Sequence, residues 1–461
     1  MDSLKNIFAI PELRNRVLFT FGLLAVYRIG GHVPTPGINT AALSVLAEQA
    51  ASSNLFGLYD MFSGRNLSQM TLFALGVMPY ISASIILQLL TVVWPYLERL
   101  SKEGELGRRK ITQYTRYGTI VLSVVQGLAI AYFLESQSVP GGTQIVYNPG
   151  WFFRFTTVLT LTTGSVLVMW LGEQITERGI GNGMSLLIYA GIVAGLPRAF
   201  WATVRQLETG QMNLFTLILL LVLMVVVVAA VVFVERGHRR VTVQYARRQV
   251  GRRMYGGAST HIPLKVNTGG VMPVIFASSI LAFPQSMKPF FPVGGWADNA
   301  ITQIGMGYPL YNLLYVGMII FFAYFYTAII FNPDDVAENM RKYGGFVPGI
   351  RPGKRTAEYI DTILARVTLA GAVYLAMIAL LPEFMLTGFK VAPIPFIGEW
   401  LDSVTPSFIT QGLGVTFYFG GTSLLIIVGV AMDTVQQVES QLIMRHYDGF
   451  MKKTRIRGRR G

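Results

Sequence analysis

The chain has 461 residues, 52% of them hydrophobic and 13% charged, with a mean hydropathy of +0.48 and a formal net charge of +14. A charge content about half that of soluble domains marks a polytopic membrane protein. The absence of any cysteine removes disulfides, thiolate metal sites, iron–sulfur clusters and thiol nucleophiles together, and four scattered histidines without an H-E-x-x-H pattern leave little for zinc.

The N-terminal stretch MDSLKNIFAIPELRNRVLF has no short apolar core followed by a small-residue cleavage site, so a mature chain beginning at Met1 is expected. A spanning helix needs about 20 mostly apolar residues. Ten segments qualify, centred on 17–33, 71–94, 117–134, 155–171, 184–201, 214–234, 269–287, 308–331, 367–386 and 411–432. With the N-terminus cytosolic, 31 of the 38 Lys and Arg fall in cytosolic segments. That asymmetry predicts both termini inside, because cytoplasmic loops retain basic residues.

Two of the segments carry the same words. Residues 76–86 read GVMPYISASII and residues 270–280 read GVMPVIFASSI, identical at eight of eleven positions. Each copy places Gly-x-x-Pro where an ordinary spanning helix has Leu or Val. Interrupted helices in matching halves point to a transport pathway, although two helices sharing one kind of bend read the same way. Ten spans with both ends inside give five per half, and an odd number inverts the second half, so the repeat and the charge count agree. The predicted division is 1–210 for the first half, 211–435 for the second and 436–461 for a basic cytosolic tail. The segment LFTLILLLVLMVVVVAAVVFV reads as a lipid-facing helix, whereas spans two, four, five, seven and ten carry Gly, Ser, Thr and Pro suited to close packing or a wet lumen.

Residues 54–70 (NLFGLYDMFSGRNLSQM) are too short to cross and too apolar for a free loop, which predicts a re-entrant segment joined to span two. On the cytosolic side, 236–267 and 332–366 are long, basic loops of a kind that is uncommon without a function. Arg247, Arg248, Arg252 and Arg253 lie within seven residues, and Arg351, Lys354 and Arg355 within five. Topogenic charge accounts for much of this. Guanidiniums on a stiff loop also suit RNA phosphate or an acidic protein groove.

Ionisable residues inside spans mark ion-coupled transport. Here only Arg28 lies clearly inside, with Glu135, Glu173 and Asp433 near ends, and no Asp/Glu/His relay is visible. The segment GIRPGKRT at 349–356 departs from a phosphate-binding loop in spacing and in lacking Ser or Thr after its Lys, and GIGNG at 179–183 reads as a tight turn opening the fifth span. No enzyme site is evident. A passive polypeptide pore and an inverted-repeat secondary transporter for a small solute both fit these features, while an intramembrane enzyme needs a catalytic pair that the spans do not offer.

Further motifs add a resemblance that covers essentially the whole chain. YRIG at 27–30, PTPGI at 34–38, MFSG at 61–64, FALGVMPYISASI at 73–85, EGELGRRKITQYTRYGT at 103–119, MWLGEQITERGIGNG at 169–183, FVERG at 233–237, STHIPLKVN at 259–267, IFASS at 275–279, FNP at 331–333, FVPGIRPGKRTAEYID at 346–361 and YFGGTSLLI at 418–426 resemble the SecY protein-translocation channel family. The resemblance implies an all-α polytopic membrane protein with ten transmembrane helices in two inverted five-helix halves around a central pore. It implies a pore ring at Val77, Ile81, Ile188, Ile275 and Ile426. A short re-entrant plug helix over about 55–66 would include Leu55, Phe56, Leu58, Tyr59, Met61 and Phe62. Spans two and seven would form a lateral gate with Ser82, Ile85 and Phe283 on facing surfaces. The basic loops would dock the ribosome and the SecA motor, with SecE and SecG as small partner subunits and signal sequences, nascent polypeptides and the lipid bilayer as the other contacts. No metal or cofactor is implied, since a partner ATPase or the translating ribosome supplies the energy. The expected location is the bacterial cytoplasmic membrane. The stretch 387–411 is longer than in compact members of the family.

Overall fold

The computed structural model describes residues 10–43, 60, 63–137, 144–210, 213–245, 248–250, 253–255, 259–288, 291, 295–305, 308–388 and 421–453. Helices α1 (Pro11–Gly30), α2 (Met78–Val93), α3 (Pro95–Lys102), α4 (Glu105–Ser136), α5 (Trp151–Arg178), α6 (Gly183–Glu208) and α7 (Leu214–Glu235) come first. Four strands follow, β1 (His238–Tyr245), β2 (Arg248–Val250), β3 (Arg253–Tyr255) and β4 (Ser259–Lys265). The chain continues through α8 (Met272–Ser286), α9 (Trp296–Gln303), α10 (Pro309–Ile330), α11 (Pro333–Lys342), β5 (Gly345–Phe346), α12 (Lys354–Thr387) and α13 (Gly421–Lys453). Among the described residues, six helices are long and apolar enough to cross a membrane, or seven when α2 and α3, bent by 99° at Trp94, count as one. The chain is thus a mostly helical, multi-pass membrane protein.

Contacts divide it into two compact units. One comprises 1–202, 282–302 and 430–461, and the other comprises 203–281 and 303–429. In the first unit α4 and α5 pack as an antiparallel hairpin pinned at both ends by ion pairs. Arg116 meets Glu173 through two parallel 2.9 Å contacts, and Arg154 meets Glu135 with the Gly150 N–H donating to the same carboxylate at 2.9 Å. Glu173 and Glu135, two of the three acidic residues read near span ends, are therefore held by guanidiniums, with a strong bidentate geometry at Glu173. Helix α7 has a mean hydropathy of 3.6 and only 17% of its apolar window buried, which fits the lipid-facing reading.

The all-α expectation needs correction in the second unit. The basic segment after α7 folds as an antiparallel sheet in the order β4-β1-β5, with β2 and β3 forming a separate two-stranded ribbon. The reason is a period-2 pattern in HRRVTVQY. Val241 and Val243 point to one face and are buried, while Arg239, Arg240 and Thr242 are exposed. That face closes on Leu264 of β4, Met340 of α11, Val347 after β5 and Ile360 of α12. The two basic loops predicted at 236–267 and 332–366 therefore contribute to one folded layer. Helices α4 and α12 also begin well before the apolar segments predicted at 117 and 367, at Glu105 and Lys354, and at 32 and 34 residues they extend beyond the thickness that about 20 residues cross. Helix α13 runs on to Lys453, through much of the predicted tail.

Candidate functional site

The duplicated stretch builds the same device in each unit. Gly76 and Gly270 both adopt left-handed φ values, 54° and 57°, which glycine reaches without steric cost. Helices α2 and α8 start two residues later, at Met78 and Met272. Pro79 and Pro273 then occupy the first turn, where a missing N–H costs nothing and the fixed φ suits the helix. The Gly-x-x-Pro pattern therefore marks the start of a short helix rather than a break within a long one. At 16 residues α2 is about 24 Å long, short of a membrane core about 30 Å thick.

The non-helical backbone ahead of α2 meets its hydrogen bonds within its own unit. Thr71 N–H donates to the Asn66 carbonyl at 3.0 Å, Leu72 to Val33 at 2.8 Å, Ala74 to Thr71 at 2.9 Å and Gly76 to Phe73 at 2.8 Å. Buried protein environment makes such backbone tolerable. Leu72 packs its carbonyl against Gly164 of α5, where any side chain would collide.

Within these helices the sequence-predicted aliphatic positions lie at matched places. Ile81 N–H donates to Val77 O at 3.1 Å, and Ile275 N–H donates to Val271 O at 3.2 Å. Val77, Ile81 and Ile188 are buried in the first unit, as are Ile275 and Ile426 in the second. Ser82 and Ile85 on α2 are buried and Phe283 on α8 is half-buried. The turn at 179–183 opens α6 as expected: Asn182 Oδ1 accepts from Met184 N at 3.1 Å, and Gly183 N–H donates to Thr176 Oγ1 at 2.9 Å.

The predicted plug residues Leu55, Phe56, Leu58, Tyr59, Met61 and Phe62 lie outside the described residues, as do Arg247, Arg252 and most of the stretch 387–411. The end of the predicted plug segment, residues 63–66, is described, and it is tied down by a knot the sequence did not announce. Tyr27 of α1 donates through Oη to the Ser63 carbonyl at 3.2 Å, and Asn66 Nδ2 donates to the same carbonyl at 2.6 Å and to Tyr27 Oη at 3.4 Å. Arg28, the one clear intramembrane charge, donates to Gly64 O at 3.4 Å. Tyr27 stacks on Phe73 with ring centroids 5.6 Å apart. Gly64 and Gly191 of α6 meet backbone to backbone: a Cβ on Gly64 would lie 2.8 Å from Gly191 Cα.

On the sheet layer, Arg351, Lys354 and Arg355 are exposed around the turn that leads into α12, where Thr356 Oγ1 donates to Arg351 O at 2.9 Å and Ile350 packs against the sheet's core. Arg248 and Arg253 lie on the β2–β3 ribbon, Arg253 paired in register with Val250. The alternation of Val241 and Val243 in HRRVTVQY is a sequence trace of this platform, but two apolar positions among arginines are too few to stand out.

A family model described as SecY matches residues 71–435. The "Protein translocase subunit SecY" of Escherichia coli strain K12 is 51% identical over 454 residues, covering 97% of this chain and 96% of the relative. The subunit of that name in Pseudomonas aeruginosa is 48% identical, covering 97% and 95%, and that of Streptomyces griseus is 48% identical, covering 96% and 98%. Among solved structures, one titled "The structure of a protein conducting channel" superposes with a TM-score of 0.62 at 17% identity, covering 92% of each chain, and canine Sec61 in a ribosome–channel complex does so at 0.57 and 16%, again over 92% of each. At these identities the structures speak for the fold, and the sequence relatives speak for the family: this chain belongs to the SecY family.

Proposed function

We propose that this chain is the protein-conducting subunit of a bacterial Sec translocase, passing unfolded secretory polypeptides across the cytoplasmic membrane and releasing signal sequences and transmembrane helices sideways into lipid. The observation that carries the reading is the 51% identity to a translocase subunit over 97% of the chain. In this reading ten spans form two inverted halves, both termini are cytosolic, and Val77, Ile81, Ile188, Ile275 and Ile426 line the constriction. An apolar ring dewets and blocks ions, yet its side chains flex around a passing peptide. Residues 55–66 act as the plug. A title among the structural neighbours states that the plug of that SecY protein stabilises its closed state and maintains a membrane seal. Ser82, Ile85 and Phe283 face the lateral gate. The Arg351 turn and the β2–β3 ribbon dock the ribosome or the SecA ATPase, and SecE and SecG complete the complex. Ribosome-bound neighbours of the Sec61 and Ssh1 type support the first of these partners. The pairing of Glu135 with Arg154 and of Glu173 with Arg116 weighs against a proton-driven small-solute transporter, whose titratable groups must be free to cycle.

Single cysteines replacing Ile81, Ile188 and Ile275 are clean probes because the chain has no native cysteine. Each is expected to crosslink to a stalled secretory chain, and crosslinks confined to other positions would sink the channel reading. Arg351→Glu is expected to leave insertion of the protein intact and to impair export strongly, since it reverses charge on the exposed tip. Normal export kinetics in proteoliposomes would remove Arg351 from the docking surface.

A further inference from the structure

Between β4 and α8 the chain passes through a clasp built from three helices of its own unit. Glu235, the last residue of α7, is buried with 5% of its surface exposed, and Asn267 with 6%. Asn267 Nδ2 donates to Glu235 Oε1 at 2.7 Å and to the Gly270 carbonyl at 2.9 Å. One amide thus joins the cytosolic end of α7 to the left-handed glycine two residues ahead of α8. Val266 N–H donates to Gly237 O at 3.0 Å, fastening the end of the sheet to the same helix end. Gly371 of α12 lies beneath the connection, where an added Cβ would come within 2.5 Å of the Val266 carbonyl, and Gly429 of α13 receives Val271 so closely that no side chain fits there.

The clasp also contains a second donor that is not engaged. Tyr374 of α12, one turn on from the Gly371 that underlies this connection, has a buried hydroxyl with no hydrogen-bond partner among the described residues. A buried hydroxyl left unmatched is costly unless another arrangement satisfies it.

We propose that Asn267 and Glu235 are a positioning pair that fixes where α8 begins, coupling the cytosolic sheet to that helix, and that Tyr374 is the alternative donor to Glu235 when Asn267 lets go. Strand β4 leads directly into the clasp, so a partner that shifts the sheet pulls on Asn267. The carboxylate then exchanges one donor for another, which keeps it hydrogen-bonded in both arrangements and makes the element two-state rather than merely loose. The structural part stands without the channel reading; its consequence for export rests on it.

The test uses the full chain in lipid nanodiscs, with spin labels at Ile280→Cys on α8 and Leu313→Cys on α10. The expected result is one narrow distance population in the otherwise native protein and with Glu235→Gln, whose carboxamide oxygen still accepts. Asn267→Ala and Glu235→Ala are expected to add a second population, and Tyr374→Phe to sharpen the first. If Asn267→Ala fails to assemble, Glu235→Ala, which leaves the Asn267–Gly270 bond intact, carries the test. Unchanged distances in both alanine variants overturn the proposal, as does broadening by Tyr374→Phe equal to theirs, which is what loss of packing alone would give. Translocation by the assembled complex is expected to change roughly 2- to 30-fold in the alanine variants. Altered distances with unaltered translocation would overturn the coupling to export, while crosslinking at Ile81, Ile188 and Ile275 judges the channel reading separately.

Discussion

Gly191→Val is expected to break the resting seal of the channel, raising ion conductance in planar bilayers while the protein still assembles. The two glycines at this contact touch through their backbones. A Cβ on Gly191 would lie 2.9 Å from Gly64 Cα and 3.3 Å from Gly64 N, and backbone atoms cannot rotate aside as a flexible side chain can. The segment carrying Ser63 and Gly64 must therefore lift from α6. Overpacking of this kind costs about 1–3 kcal/mol, which shifts a closed-to-open equilibrium by roughly 5- to 150-fold. The lift also pulls Ser63 O from Tyr27 and Asn66. Tyr27→Phe provides the graded case, removing the hydroxyl and keeping the ring stacked on Phe73, and should leak less than Gly191→Val. Conductance at the wild-type level in Gly191→Val would show that this contact does not hold the plug.

Val243→Asp is expected to unfold the sheet layer without dissolving the membrane helices, and with it to abolish the partner docking proposed for that layer. Val243 is 1% exposed and sits in the same cluster as Leu264, Met340, Val347 and Ile360. Its burial is worth about 1.5–3 kcal/mol, and a carboxylate in its place carries an uncompensated desolvation penalty of several kcal/mol more. A small three-stranded sheet cannot absorb that. The neighbouring Thr242→Asp is the control, since the strand's alternation puts Thr242 on the solvent side. Limited trypsin digestion at the loop arginines should speed up at least about tenfold in Val243→Asp, the local opening being set by several kcal/mol, and remain unchanged in Thr242→Asp. Equal protection of the two variants would show that the sheet does not depend on this core.

Membrane character and the matched positions of Ile81 and Ile275 were legible in the residues, because they depend on composition and on a repeat that local geometry follows. The left-handed glycine, the proline in the first turn and the aliphatic residue one turn on need only neighbours in sequence. The charge asymmetry needs only a bilayer.

The remaining features depend on partners far apart in the chain. Val241 and Val243 form a strand face of two buried residues, too short to outweigh the surrounding arginines as a signal, and they are buried only because Met340, Val347 and Ile360 arrive about a hundred residues later to cover them. Tyr27 reads as an ordinary aromatic in a span until Ser63 and Asn66 fold back upon it, and Glu235 reads as a charge at a helix end until Asn267 meets it. By itself, then, the sequence determined that the chain crosses a membrane repeatedly and that one Gly-x-x-Pro device occurs twice in it, whereas the helix starts at Met78 and Met272 came from the backbone. Only the tertiary structure decided that the two basic loops share a three-stranded sheet and that buried polar knots hold residues 63–66 and the start of α8, because a buried hydrogen bond exists only where the fold brings donor and acceptor within about 3 Å of each other.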